Sequence, residues 1–290
     1  MRIQPGKKFG GQVCLNTFFP AFMTRFGRGK IPLYTFIVGW SYTLSVPLAG
    51  FLKDELGMIS IFLLTLILAV PLTILIALLW RNYPEEDPGK RIRVDNILSE
   101  YKESFKEIRS AKMIRACGFS FLFFMGFGIS LSLFPLYLSG IGLTSFLIGV
   151  VQFSRMSCGS SVRIFSDSIV ERLSQEKTLT IGALIVGLCM TIIPQIENLF
   201  LIVILSVIWG LSGGLYSPIV FELIADSTKA ENRGKGMGLR GTFGTLGSLI
   251  GVLSFSNIAE ILGIPLAISA TGVSFVFGTV IIETLLHISD

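Results

Sequence analysis

The stretch LFLIVILSVIWGLSGGLYSPIVF, residues 199–221, contains no charged side chain. A helix rising about 1.5 Å per residue needs about 20 such residues to cross hydrocarbon, so this stretch is long enough to span a bilayer. Seven more apolar runs of similar length lie at 33–52, 58–80, 116–138, 143–165, 178–196, 236–259 and 264–286. The fold class read from them is an all-α polytopic membrane protein with about eight transmembrane helices, the bilayer taking the place of water as solvent. Composition agrees. The chain is 51% apolar and only 15% charged, with a mean hydropathy of +0.73, which is more apolar and less charged than a soluble domain of 290 residues.

The basic residues fall on alternate connections. Of 24 Lys and Arg, 22 lie on one side if the eight runs are crossings: those from Arg2 to Lys30, nine from Arg81 to Arg115, then Arg163, Arg172 and Lys177, and finally Lys229, Arg233, Lys235 and Arg240. The opposite side has Lys53, and Arg155 lies inside a run. The excess of Lys and Arg on cytoplasmic connections therefore predicts a multi-pass protein of the cell membrane with both termini and the 81–115 connection cytoplasmic. This distribution also accounts for the net charge of +5 and pI of about 9.1. Nucleic acid is not an expected partner, since the charges do not form one patch interleaved with aromatics. Cys14, Cys117, Cys158 and Cys189 are isolated and the chain has one His, so neither a disulfide framework nor a zinc site is expected, and no cofactor motif is present.

The one long polar segment divides the chain. Residues 1–80 hold two apolar runs, 81–115 form a linker, and 116–290 hold six runs. In the linker Val94, Ile97, Leu98, Tyr101, Phe105 and Ile108 recur at helical spacing opposite Glu100, Lys102, Glu103, Lys106 and Glu107, which predicts an amphipathic helix on the cytoplasmic surface. An internal repeat relates the parts. Arg28-Gly29-Lys30 recurs as Arg233-Gly234-Lys235, and at the same offset Gly39 meets Gly244; one residue of slip pairs Asp54 with Glu260 and Gly57 with Gly263. The segment from Cys117 to Arg233 carries four runs, whereas 27 residues precede Arg28, with Phe9–Met23 as the possible stub of one run. The expectation is an N-terminal bundle represented by a remnant and a C-terminal bundle of six helices, the missing part being a mis-called start, a separately encoded N-terminal half, or a broken gene.

Two six-helix units joined by a long cytoplasmic connection resemble the major facilitator superfamily of secondary transporters, and local motifs carry the resemblance. Pro218 to Asp226, followed by Glu231-Asn232-Arg233-Gly234-Lys235-Gly236-Met237-Gly238, is similar to that superfamily's tenth helix running into its eleventh. Asp167, Arg172 and Lys177 are similar to the loop signature between its eighth and ninth helices, with residues inserted after the Asp. Ser45-Val46-Pro47-Leu48-Ala49-Gly50 resembles a fifth-helix motif of its antiporters, with Val46 and Ala49 at two glycine positions. The resemblance implies that the chain covers about helices five to twelve, and that it moves a small solute by alternating access. It implies no enzyme activity.

A charge inside a bilayer costs several kcal/mol unless it faces water or a compensating group. Arg155 is therefore the leading candidate for substrate binding, its planar fork suiting an anionic group; the alternative is pairing with a carboxylate or carbonyls that only holds helices together. Gln152, Tyr137, Trp209 and Tyr216 are the other candidate cavity residues, polar-tipped and inside apolar runs. Trp40 and Tyr42 share those properties. Glu222 and Asp226 stand four apart on one helix face, and the resemblance implies a gate built from Asp167, Arg172, Glu222, Asp226 and Arg233; a proton-coupling role for Glu222 is a second possibility. Glu283 is expected at the cytoplasmic interface. Gly210 with Gly214 and Gly247 with Gly251 are GxxxG pairs that predict close helix packing. The same stretch satisfies Gly-x-Ser-x-Gly at Ser212, the signature of a serine hydrolase, but the single His287 lies at the membrane edge and Ser212 over halfway along its helix, so no base is expected within reach.

Overall fold

The protein is described by a computed structural model over residues 30–81, 110–229 and 232–289. The expected amphipathic helix of the linker and the Phe9–Met23 segment lie outside these residues. Among the described residues all regular structure is helical. α1 (Lys30–Leu56) and α2 (Met58–Arg81) come first, then α3 (Ala111–Gly140), α4 (Ser145–Ser161), a 3₁₀ turn (Val162–Phe165) and short α5 (Ser166–Leu173). α6 (Gln175–Ile192), α7 (Leu199–Gly214), α8 (Tyr216–Ser227), α9 (Arg233–Leu262) and α10 (Ile264–Ser289) complete the order. Among the described residues five spans are long and apolar enough to cross a membrane: Ala111–Gly140, Gln175–Gln195, Leu199–Ser227, Arg233–Leu262 and Ile264–His287. The other three expected crossings are α1, α2, whose Met58–Pro71 portion is a shorter apolar helix, and α4.

Large apolar side chains face outward along these helices, Ile59 at 74% exposure among them. In water that surface would aggregate; in lipid it is the expected outer face. Serine and threonine hydroxyls inside helices bond back to carbonyls one turn earlier, as Thr43 does to Gly39, Thr271 to Ala267 and Thr279 to Phe275. Each removes an unsatisfied polar group from the hydrocarbon.

Helix boundaries follow local chemistry. α3 starts five residues before the expected 116 because the Ser110 side chain caps it, accepting from the Met113 N–H at 3.2 Å. The run that opened the sequence reading is two helices rather than one. Pro218 has no N–H to donate to the Gly214 carbonyl, and behind Gly213 and Gly214 the helix breaks at Leu215. Residues 166–173, expected as loop, form α5, with Ile169 and Val170 packed on the core. Ser174 ends it with φ +67°, then caps α6 through its side chain.

Glycine spacing decides which helices touch. α9 packs along α3 and α4 along α7. A Cβ on Gly247 would strike the Phe121 carbonyl, and one on Gly251 would lie 2.7 Å from Met125 Cγ. On α7, Gly210 and Gly214 lie directly on the backbone of Arg155 and Gly159. Both GxxxG pairs therefore pack helices, as their spacing predicts. The repeat also has a backbone counterpart: Gly57 and Gly263 each form the single left-handed residue between two long helices, at φ +78° and +91°.

One end of the bundle is tied by charge. Arg115 at the start of α3 bonds Glu283 near the end of α10 through Nε at 3.1 Å and Nη2 at 2.9 Å, and pairs with Glu176 at the start of α6 at 2.8 Å. Thr180 donates to Glu283 at 2.8 Å. Glu283 thus has a fixed partner where the sequence suggested only an interfacial residue, and the three helix ends meet on one side, as alternating crossings require. Arg115→Ala is expected to cost about 2 kcal/mol, because it removes a bidentate charged bond from a carboxylate that is only part-exposed. Glu176→Ala, at a side chain 48% exposed, is expected to cost under about 1 kcal/mol. Thermal unfolding in detergent micelles checks the order; equal effects would contradict this account.

Candidate functional site: a cationic cavity

Helices α1, α3, α4, α7, α8 and α9 surround a cavity of about 460 Å³, with Val186 of α6 and Phe275 of α10 completing its wall. That volume suits a drug-sized organic molecule. Among the described residues its cations are Arg155, Arg163 and Arg240, and no Asp, Glu or Lys lines it. The rest is largely aromatic, with Phe123, Phe124 and Phe127 from α3, Trp209 from α7, Phe221 from α8 and Tyr34 and Tyr42 from α1.

Arg155 is built in by two helix contacts. Because Gly159, Gly210 and Gly214 bring the α4 and α7 backbones together, the Arg155 guanidinium stands over the Trp209 ring, 4.6 Å from its centroid. One turn earlier, Gln152 holds it: Oε1 accepts from Nε at 3.1 Å and from Nη2 at 2.7 Å. Gln152 is itself oriented by α3, its Nε2 donating to the Ser130 carbonyl at 3.0 Å. Arg155 is 7% exposed and Gln152 4%. The carboxylate partner expected under the purely structural reading is absent: among the described residues Arg155 makes no ion pair, and a neutral amide and an indole compensate it instead. Its Nη1 donates no hydrogen bond among those residues and remains available to the cavity.

Two arginines join it that the sequence reading had counted with the cytoplasmic charges. Arg240 sits two turns inside α9, among aromatic faces, 4.5 Å from the Phe221 centroid, 5.4 Å from Phe124 and 5.7 Å from Tyr216. Arg163, in the 3₁₀ turn after α4, donates through Nη1 to the Thr35 carbonyl of α1. A signal for both was present. The expected runs 236–259 and 143–165 already contained them, and a cation within a run is the mark that singled out Arg155.

The other candidates divide. Trp209 lines the cavity with Arg155. Gln152 stands behind it as the residue that orients the guanidinium. Tyr216 is also one layer back, stacked on Phe123 at 3.9 Å with its hydroxyl donating to Ser120 at 2.7 Å. Tyr137 is away from the cavity: its hydroxyl serves the carbonyls of Ile193 and Ile196 at 3.3 and 3.1 Å, closing the end of α6. Of the other two aromatics, Tyr42 lines the cavity, whereas Trp40 packs between Phe36 and Phe153.

The charged residues expected to form one gate lie on α5, on α8 and at the start of α9. Asp167 and Arg172 are exposed on α5 and make no ion pair among the described residues; Asp167 accepts from Ser166 at 3.5 Å. Glu222 is buried on α8 and accepts from Gln175 Nε2 at 3.2 Å. Asp226 is exposed at the end of α8, and Arg233 opens α9 just beyond the turn. Around Ser212, the flanking Gly210 and Gly214 are spent on the contact with α4, which explains the Gly-x-Ser-x-Gly spacing without a nucleophile.

Comparison with known proteins agrees with this architecture. Quinolone resistance protein NorA of Staphylococcus aureus, in strains Mu50, N315 and MW2, is 24% identical over 131 residues, or 45% of this chain and 34% of that protein. The chain spans about a third of the length of the curated relatives it matches. The Major Facilitator Superfamily family model matches residues 31–251 and 120–290. With nearly the whole described chain inside those two matches, this membrane protein belongs to the Major Facilitator Superfamily, a class of transporters rather than enzymes.

Proposed function

We propose that the protein carries a small organic anion across the cell membrane by alternating access, and that the solute binds in the cavity between α1 and the helices from α3 onward. The observation that carries the reading is a lining that, among the described residues, has three guanidinium groups and no carboxylate. Such a wall favours an anion, because a low dielectric strengthens the attraction between opposite charges. Membership of a transporter family supports the transport itself, and the quinolone resistance protein among the relatives supports an organic molecule as the solute. The aromatic wall suits a flat apolar body carrying the charge.

In this reading α1 and α2 belong to one rocking unit, residues 116–290 to the other, and the termini are cytoplasmic, as the distribution of Lys and Arg favours. Glu222, Asp226 and Arg233, gathered where α8 turns into α9, form the gate on the cytoplasmic side, with Asp167 and Arg172 at its surface. Charged contacts suit that role, since they break and re-form as rigid bodies move.

The test is uptake into membrane vesicles of radiolabelled benzoate, benzenesulfonate and phenyl phosphate, against uncharged benzamide. Saturable accumulation of at least one anion, above vesicles lacking the protein, is the expected result. Absence of any protein-dependent flux would overturn the transport reading.

A further inference from the structure

We infer that Arg163 couples solute to movement: the anionic group of the solute takes the Arg163 guanidinium from the Thr35 carbonyl and so unlatches α1 from α4. The inference rests on the anion reading above. Its starting point is a contact that any rocking of α1 against α4 must break. At Gly39 the two helices are so close that a Cβ would lie 2.5 Å from Ser160 Oγ and 2.7 Å from Arg163 Nη1. On either side of that glycine stand the polar ties, Arg163 Nη1 to the Thr35 carbonyl and Thr43 Oγ1 with Ser160 Oγ at 3.2 Å.

The latch is incompletely satisfied. Arg163 Nε is buried and has no hydrogen-bond acceptor among the described residues, while the guanidinium lines the cavity. A neutral carbonyl accepts at Nη1; a carboxylate, sulfonate or phosphate accepts at Nε and Nη together through two charge-assisted bonds. The nitrogen that shares an edge with Nε–H is Nη2, so the buried Nε reaches an anion only when the guanidinium turns into the cavity. Turning takes Nη1 from Thr35, and two charge-assisted bonds replace one to a neutral carbonyl while Nε gains its acceptor. The residue sits in the 3₁₀ turn Val162–Phe165, where the backbone hydrogen bonding is weaker than in an α-helix and the side chain can re-aim. Eight residues separate Arg155 from Arg163, about 12 Å along a helix. An anion leaving Arg155 toward the cytoplasmic end meets Arg163 next.

The experiment introduces Thr43→Cys and Ser160→Cys into a chain whose four native cysteines are replaced by Ala, and measures copper-phenanthroline disulfide formation in membrane vesicles. Binding is read separately from Trp209 fluorescence, with Trp40→Phe and Trp80→Phe. An anion from the benzoate, benzenesulfonate and phenyl phosphate panel that quenches Trp209 is expected to slow cross-linking on the order of tenfold, the change that about 1.4 kcal/mol of preference for the unlatched state yields. In Arg163→Gln the quench is expected to need a higher anion concentration, and at saturating anion the slowing is expected to vanish; Arg163→Lys, which keeps a charge but loses the fork, is expected to slow weakly. Quenching with unchanged cross-linking, or equal slowing in Arg163→Gln, overturns the latch and leaves the anion site standing. If no anion quenches Trp209, the anion reading falls and the latch with it.

Discussion

Gly210→Ala is expected to unfold the α4–α7 pair at a temperature lower by on the order of 10 °C, the consequence of about 3 kcal/mol of overpacking in a domain of this size. The new methyl would meet the Arg155 carbonyl, which is backbone and cannot swing aside as a side chain can. Gly214→Ala has the same difficulty against Gly159. Glycine placement gives the control within the same protein. On α9, Gly238 has open space where its Cβ would be, so Gly238→Ala removes no contact, and the helix gains up to about 1 kcal/mol from alanine's higher propensity. Melting in detergent followed by tryptophan fluorescence separates the two. Similar melting temperatures for Gly210→Ala and Gly238→Ala would mean that α4 and α7 do not touch through their backbones. Because the displaced carbonyl belongs to Arg155, Gly210→Ala is also expected to lose anion quenching of Trp209.

What could be read from the chain and what could not have different physical origins. Apolar runs and alternating charge are properties of each segment against the bilayer, so the helices, and the family motif around Arg233-Gly234-Lys235, were legible without knowing any contact. GxxxG pairs were legible for a related reason: small residues at i and i+4 define one face whatever the partner helix is. The cavity was not. Whether an aromatic faces lipid, a neighbouring helix or the cavity depends on helix rotation, and Tyr137, Tyr216 and Trp209 look alike in sequence, although only Trp209 of the three lines the cavity. Arg240 and Arg163 were hidden by the rule that exposed the topology. Each lies near the cytoplasmic end of its run, where a marker of topology and a charge within the membrane look the same in sequence. The break at Leu215 was also missed, although Gly213, Gly214 and Pro218 announce it, since an uninterrupted apolar run masks a backbone interruption that hydropathy does not measure.

Arg155→Lys is expected to reduce anion uptake by about 10–100-fold while leaving the amount of protein in the membrane unchanged, the loss that follows when one charge-assisted bidentate contact worth about 1.5–3 kcal/mol becomes a point charge. The structure makes this substitution informative because Arg155 has two jobs that a lysine divides. Nε and Nη2 are committed to Gln152, and the planar group stacks on Trp209; a lysine ammonium can keep the bond to Gln152 Oε1 and part of the cation–π contact. What it cannot keep is a second edge presented to the cavity while the first is held. Gln152→Glu supplies the complementary case. A carboxylate at that position would pair with Arg155 and neutralise it from behind, so uptake is expected to fall although the guanidinium is still present. The measurement is initial uptake of the anion found active in vesicles, normalised to protein by immunoblot, with Trp209 quenching as the binding readout. Normal uptake by Arg155→Lys, or loss of abundance as well as uptake in Arg155→Gln, would make Arg155 a helix-packing residue and transfer the anion site to Arg163 and Arg240, which share the cavity with it.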